Sequence, residues 1–92
     1  MLEFTTLFTP ADGSAPRTIT LRIGDLRQEP DGVWSVAVHV LGFKHDEKVR
    51  LAQVDWAQAI HDAAQFVVRR VADKVEHAGG GTLEPPIYPP ES

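Results

Sequence analysis

Cysteine is absent from this chain of 92 residues. Its absence excludes disulfide scaffolds, thiolate zinc sites, iron–sulfur clusters and cysteine nucleophiles. Small secreted domains usually need such crosslinks, and the first residues show no basic segment followed by an apolar run. The sequence therefore predicts a soluble protein of a reducing compartment, the cytoplasm.

Long apolar runs and clustered basic charge are also lacking. No uncharged apolar run approaches the roughly 20 residues of a membrane helix, so we expect no membrane partner. The net charge is −4, from 13 acidic and 9 basic residues. The one adjacent basic pair, Arg69 and Arg70, lies on a segment that also carries Asp62 and Asp73. Because phosphate binding needs a clustered basic surface, we expect no nucleic-acid partner.

The N-terminal half of the chain has the period of β-strands. Apolar and polar residues alternate over residues 18–23 and again over residues 34–40. A strand with one buried face produces this alternation, because successive side chains point to opposite faces. Pro30, Asp31 and Gly32 supply turn chemistry between the two segments. The pattern predicts a hairpin, preceded by a strand over residues 2–9, and residues 48–52 could add a short fourth strand.

The C-terminal half changes to the period of a helix. From Trp56 onward, apolar residues recur every three or four positions, which is typical of an amphipathic helix. Asp55 suits the N-cap, and Gln58 three residues later completes the pattern of a capping box. The three glycines at residues 79–81 predict the helix C-terminus.

Together these segments predict an α+β fold. We expect a three- or four-stranded antiparallel sheet with one long C-terminal helix packed on one face, in the order β-β-β-(β)-α. Residues 1–78 are predicted to form the single domain, and residues 79–92 a Gly/Pro-rich C-terminal tail. The predicted core consists of Phe4, Ile19, Leu21, Ile23, Trp34, Val36, Val38, Trp56, Ile60, Val67 and Val71.

Catalytic and metal-binding patterns are weak. His45, Asp46 and Glu47 are the densest group of potential ligands, but adjacent residues do not converge on one metal without a special loop. No serine lies in the strand–turn–helix glycine context of a nucleophile elbow. We therefore expect no catalytic residue, no metal site and no cofactor.

Four residues are candidates for binding. Arg22 and His39 fall on the polar face of the predicted hairpin, where they could bind an anionic ligand; the alternative is the ordinary solvated face of a sheet. Phe66 lies off the apolar stripe of the helix and predicts a contact with the tail or with a second protomer. Residues 85–88 end in Tyr88 and match the P-P-x-Y ligand of WW domains, unless they are a stiff soluble tail.

One segment carries a family resemblance. Residues 54–63, Val-Asp-Trp-Ala-Gln-Ala-Ile-His-Asp-Ala, follow a predicted strand. They resemble the helix start of a family of small uncharacterised bacterial proteins, a domain of unknown function with a strand-rich N-terminal half and one C-terminal helix. Trp56 stands where that family has a small polar residue, and its tryptophan-containing segment after the helix is missing here. The resemblance implies the architecture and a bacterial origin, and no catalytic residue, ligand or partner.

For function, the sequence favours a non-enzymatic protein-interaction or regulatory accessory module, acting on another protein or as a homodimer. The alternative is a small-molecule or anion-binding domain that uses the polar face of the sheet, and an enzyme is the third reading. A pocket larger than about 300 Å³ with converging titratable groups would favour the ligand-binding domain or the enzyme. Strand pairing between chains or a large apolar contact would favour the interaction module.

Overall fold

The computed structural model describes residues 2–87. An antiparallel sheet contains β1 (Leu2–Pro10), β2 (Arg17–Gln28), β3 (Trp34–Leu41), β4 (Glu47–Gln53) and β5 (Gly81–Glu84), and one helix, α1 (Trp56–His77), packs on one face. The strand order is β4-β3-β2-β1-β5. The predicted α+β class and the fourth strand are confirmed, and β5 is an additional strand. Within residues 2–87, α1 lacks the sustained apolarity that a helix needs to cross a bilayer.

The predicted hairpin is the centre of the sheet. β2 and β3 pair so that Leu21 lies opposite Val40 and Ile23 opposite Val38. The Gly32 N–H donates to the Glu29 carbonyl at 2.9 Å, and Gly32 has a φ of 90°, which favours glycine. The turn chemistry and the alternation therefore act together to set the register.

The core lies between α1 and the sheet. Its buried apolar side chains are Phe8, Ile19, Leu21, Val36, Val38, Val40, Ala59, Ala63, Val67 and Val71. The prediction was wrong for Phe4 and Trp56, which are 40% and 53% exposed, and the predicted core residues Ile23, Trp34 and Ile60 are only half-buried. The helix lies over β2, β3 and β4, so the first half of β1 is left uncovered. Trp56 begins a helix whose first buried residue is Ala59.

Both predicted ends of the helix are present. The Asp55 carboxylate accepts a hydrogen bond from the Ala57 N–H at 3.1 Å. The second half of the predicted capping box does not form, because the Gln58 amide donates to Asp62 at 2.8 Å instead. At the other end, the Gly79 and Gly80 N–H groups donate to Glu76 and Val75, the pattern of a Schellman motif.

The predicted tail is corrected at residues 81–84, which form β5 beside β1. The prolines of this segment exclude a central strand, but a short edge strand that ends before Pro85 needs no proline N–H. The Thr6 hydroxyl then donates to the Pro85 carbonyl at 2.6 Å. Ile87 packs against the core, so the chain stays on the domain beyond β5.

Candidate functional site

β4 forms one edge of the sheet. Within residues 2–87 it pairs with β3 alone, from Trp34 opposite Gln53 to Val40 opposite Glu47, without a bulge. The opposite edge, β5, has only four residues. A seven-residue strand therefore presents backbone N–H and C=O groups along its outer side.

Two polar contacts hold α1 alongside β4. At one end, Glu47 forms ion pairs with Arg70 at 3.0 Å and with Lys74 at 3.5 Å. At the other end, the Gln53 amide donates to the Asp62 carboxylate at 2.5 Å. The helix is thus fixed beside the edge strand over the length of β4.

Phe66 lies on α1 between these two contacts, one turn from Asp62 and one turn from Arg70. The Arg70 guanidinium stacks over its ring, 5.0 Å from the centroid. Phe66 is half-buried, and it borders a shallow groove of about 320 Å³ lined by helix residues that include Gln65 and Arg69. We call the outer edge of β4 together with Asp62, Gln65, Phe66 and Arg69 the β4 flank.

The tail reaches the helix on its other side. Ile87 shares an apolar groove of about 450 Å³ with Leu2 and Phe4 from β1 and with Ala64 and Val68 from α1. On a helix, Ala64 and Val68 point roughly opposite to Phe66. The described part of the tail therefore lies away from Phe66, and a contact with a second protomer remains the prediction for that residue.

The register brings Arg22 and His39 together, as their predicted shared face requires. They are direct cross-strand neighbours, and Lys48 lies opposite His39 on the next strand. On the other side, Arg22 donates to the Glu3 carboxylate at 2.7 Å. Within the described chain, the buried Nδ1 atom of His39 has no hydrogen-bond partner. A row of three basic side chains thus crosses the open face, with its first member already paired.

A second polar group on this face was missed in the sequence. Asp25 lies in a β-bulge of β2 with a φ of 52°. Arg50 donates to the Asp25 carbonyl at 3.1 Å and to the Ser35 hydroxyl at 2.7 Å, and its guanidinium also binds the Asp25 carboxylate. The only signal in the sequence was the Gly24-Asp25 pair inside a strand pattern, which can indicate a bulge. The residue on β4 that reaches it could not be identified without the register.

Tyr88 lies outside the described residues. The three residues before it in the P-P-x-Y match are held by the domain through the Pro85 carbonyl and the Ile87 side chain. For the metal prediction, no three His, Asp or Glu residues in the described chain cluster closely enough to hold an ion.

Comparison with known proteins found no matching family model, curated protein or solved structure. The resemblance of residues 54–63 to an uncharacterised bacterial family therefore stays a prediction.

Proposed function

We propose that this protein is a non-enzymatic interaction module that binds a second copy of itself through the β4 flank. The observation that carries the proposal is the seven-residue edge of β4, whose outer side has no partner strand among residues 2–87, with the half-buried Phe66 beside it. An edge strand offers a partner a ready row of backbone hydrogen bonds. A neighbouring apolar side chain adds area that a partner can cover.

The two edges of the sheet differ in their protection. Natural sheets block edge pairing with short strands, prolines, bulges or charges. β5 is short and runs into Pro85 and Pro86, so it is a poor template. β4 has neither proline nor bulge, and its exposed face carries Lys48 and Arg50. These charges oppose most registers of a partner and permit a few.

For two copies of β4, charge selects the register. A two-fold axis perpendicular to the sheet keeps both helices on the same face and pairs side chains of the same face. Pairing centred on Val49 would set Lys48 opposite Arg50 twice, and pairing centred on Arg50 would oppose the two guanidinium groups. Like charges placed directly opposite are destabilising. Pairing centred on Leu51 sets Arg50 opposite Ala52 and places no like charges directly opposite each other.

This arrangement also brings the helices within reach of each other. Strands lie about 4.8 Å apart, so helices centred over β3 of each copy would be separated by three strand spacings, about 14 Å. Packed helices lie about 8–10 Å apart, and long side chains cover the remaining distance. Phe66 would meet the partner helix. Asp62 and Arg69, which lie before and after Phe66 on α1, supply opposite charges on either side of it.

Matched variants of one exposed residue test the register. Ala52→Arg adds two repulsions with Arg50 across the axis, whereas Ala52→Glu adds two attractions. At about 0.2–1 kcal/mol for each cross-strand charge pair, Ala52→Arg should raise the dimer Kd about twofold to thirtyfold and Ala52→Glu should lower it correspondingly. Sedimentation equilibrium over a range of concentrations measures both.

Phe66→Ser should also weaken the dimer, and Trp56→Ser is the control, because Trp56 is an exposed aromatic outside the flank. The mass of a single chain at every concentration would refute self-association. Equal Kd values for Ala52→Arg and Ala52→Glu would refute the register.

Anion binding on the open face is the second candidate function. The observation that favours it is the row formed by Arg22, His39 and Lys48 in direct register. Titration with inorganic phosphate, followed on the His39 ring by NMR, tests this site. Binding should weaken in Lys48→Gln and be unchanged in Lys44→Gln, and an unperturbed His39 ring would refute it.

A further inference from the structure

A cleft of about 600 Å³ opens at the end of the domain opposite the start of the helix. Three parts of the chain line it: the end of β1 with the β1–β2 loop, the β3–β4 loop, and the last turns of α1. Its volume lies within the range of about 300–1,000 Å³ that is typical of small-molecule sites. It meets the groove beside Phe66 at Arg70 and Asp73, but Asp62, Gln65, Phe66 and Arg69 do not line it.

The floor of the cleft is aromatic. Phe8 is 2% exposed, and its ring centroid lies 5.5 Å from that of Phe43 with the planes tilted by 48°. Pro10 extends the apolar surface. Lys74 fixes the loop that carries Phe43, because its ammonium group donates to the His45 carbonyl at 3.2 Å and lies 5.9 Å from the Phe43 centroid. The loop is thus held in place by the helix.

The rim of the cleft has the opposite charge balance to the whole chain. Four cations, Arg17, Lys44, Arg70 and Lys74, face three carboxylates, and His45 and His77 add two titratable rings. The net charge of the chain, by contrast, is −4. A cationic rim in an acidic protein favours an anionic ligand.

Two of the rim cations are available to such a ligand. Arg70 and Lys74 are both paired with Glu47. Among the described residues, Arg17 and Lys44 form no ion pair within 4.0 Å. Arg17 begins β2, Lys44 lies in the β3–β4 loop, and both line the cleft.

We propose that this cleft binds a small organic acid with an aromatic or branched apolar body. The apolar body lies against the half-buried Phe43 ring, which packs on the buried Phe8, and the carboxylate is bound by Arg17 and Lys44. Apolar walls with a few placed polar groups are the usual composition of a ligand site. The inference is independent of self-association, since it uses no residue of the β4 flank.

Phenylacetate is a suitable probe, with phenethyl alcohol and phenethylamine as neutral and cationic counterparts of similar shape. Titrations followed by the backbone amide spectrum should shift the signals of residues 43–45 most with phenylacetate and least with phenethylamine. Because an exposed ion pair is worth about 0.2–1 kcal/mol, Arg17→Gln and Lys44→Gln should each weaken phenylacetate about 1.4-fold to fivefold. Arg27→Gln is the matched control, because that exposed arginine lies at the opposite end of β2 from Arg17 and outside the cleft, the β4 flank and the row of Arg22, His39 and Lys48.

A preserved amide spectrum in each free variant shows that its fold is intact. No shift in the cleft with phenylacetate would overturn the proposal, as would equal or stronger binding of phenethylamine. So would a loss of affinity in Arg27→Gln that equals the loss in the two cleft variants.

Discussion

The guanidinium of Arg50 on β4 donates a hydrogen bond of 2.7 Å to the buried hydroxyl of Ser35 on β3. Ser35 is 2% exposed, and its hydroxyl donates a hydrogen bond of 2.6 Å to the Glu29 carboxylate. Arg50 also binds the carbonyl and the carboxylate of Asp25, so one side chain links β4, β3 and the bulge of β2. This link stabilises the otherwise unpaired backbone of the bulge.

Replacement of Arg50 tests that link. We expect Arg50→Met to lower the free energy of unfolding by about 1–3 kcal/mol, because it leaves hydrogen-bonding groups of Ser35 and Asp25 unsatisfied. Arg50→Lys should recover only part of the lost stability, since an ammonium group cannot reproduce the several N–H groups that the planar guanidinium directs at Asp25 and Ser35. Urea unfolding measures both, and full recovery in Arg50→Lys would show that charge alone matters.

Gly42 should resist substitution more strongly than other turn glycines. Its φ is 104°, and a Cβ there would collide with the Thr18 carbonyl and lie 3.2 Å from the Ile19 Cα. Gly32 has a φ of 90° but open space around it, so Gly32→Ala carries the conformational cost alone, about 1–2 kcal/mol.

We expect Gly42→Ala to destabilise the protein by more than Gly32→Ala, because the β2–β3 backbone must also move. Thermal unfolding of the two variants gives the comparison. Equal losses of stability in the two variants would contradict the close approach of Gly42 to the β2 backbone at Thr18 and Ile19.

The N-terminus of α1 distinguishes a simple N-cap from a capping box. Asp55→Ala removes the acceptor for the Ala57 N–H and should cost about 0.5–2 kcal/mol. Gln58→Ala should cost less, about 0.2–0.5 kcal/mol, because the Gln58 amide bonds Asp62 one turn later. Urea unfolding of both variants measures the two losses of stability. A loss in Gln58→Ala as large as the loss in Asp55→Ala would indicate a capping box.

Asp12, at the rim of the cleft, should titrate at a lowered pH. The Ser14 hydroxyl and the Ser14 N–H donate to its carboxylate at 2.5 and 2.8 Å, and with Arg17 nearby they hold the pKa of Asp12 below its usual 3.8. A folded pKa below the unfolded one stabilises the protein above the unfolded pKa, and this stabilisation disappears as the pH falls through the folded pKa.

Ser14→Ala should therefore raise the pKa of Asp12 toward 3.8, whereas Ser14→Thr should retain the low value. An NMR titration of the Asp12 carboxyl carbon measures this. An unchanged pKa in Ser14→Ala would show that the hydroxyl does not stabilise the carboxylate.

The sequence was informative wherever one short segment contained the whole signal. The alternation around Leu21 and Val38 predicted the hairpin and its buried face, because strand geometry alternates side chains regardless of what lies beyond. Asp55 and the glycines after Ala78 predicted the ends of the helix, because both caps are made by neighbouring residues. The face shared by Arg22 and His39 followed from the same alternation.

The predictions from the sequence were wrong where contacts between distant segments determine the structure. Phe4 continues the apolar face of β1, and only the placement of the helix over β2, β3 and β4 leaves it exposed. Residues 81–84 have a composition that suits a tail. They form a strand because the side of β1 that does not pair with β2 supplies the backbone hydrogen bonds. Strand propensity depends on such context more than helix propensity does.

The sequence by itself determined the α+β class, the central hairpin and the two ends of the helix, since each follows from backbone geometry and side chains within a few residues. Only the tertiary structure decided the fifth strand, the edge position of β4, the link from Arg50 to Asp25 and the cleft between Phe8 and Phe43. These features join residues that are far apart in the chain. They form because strand order and helix position, which depend on packing of the whole domain, bring those residues together.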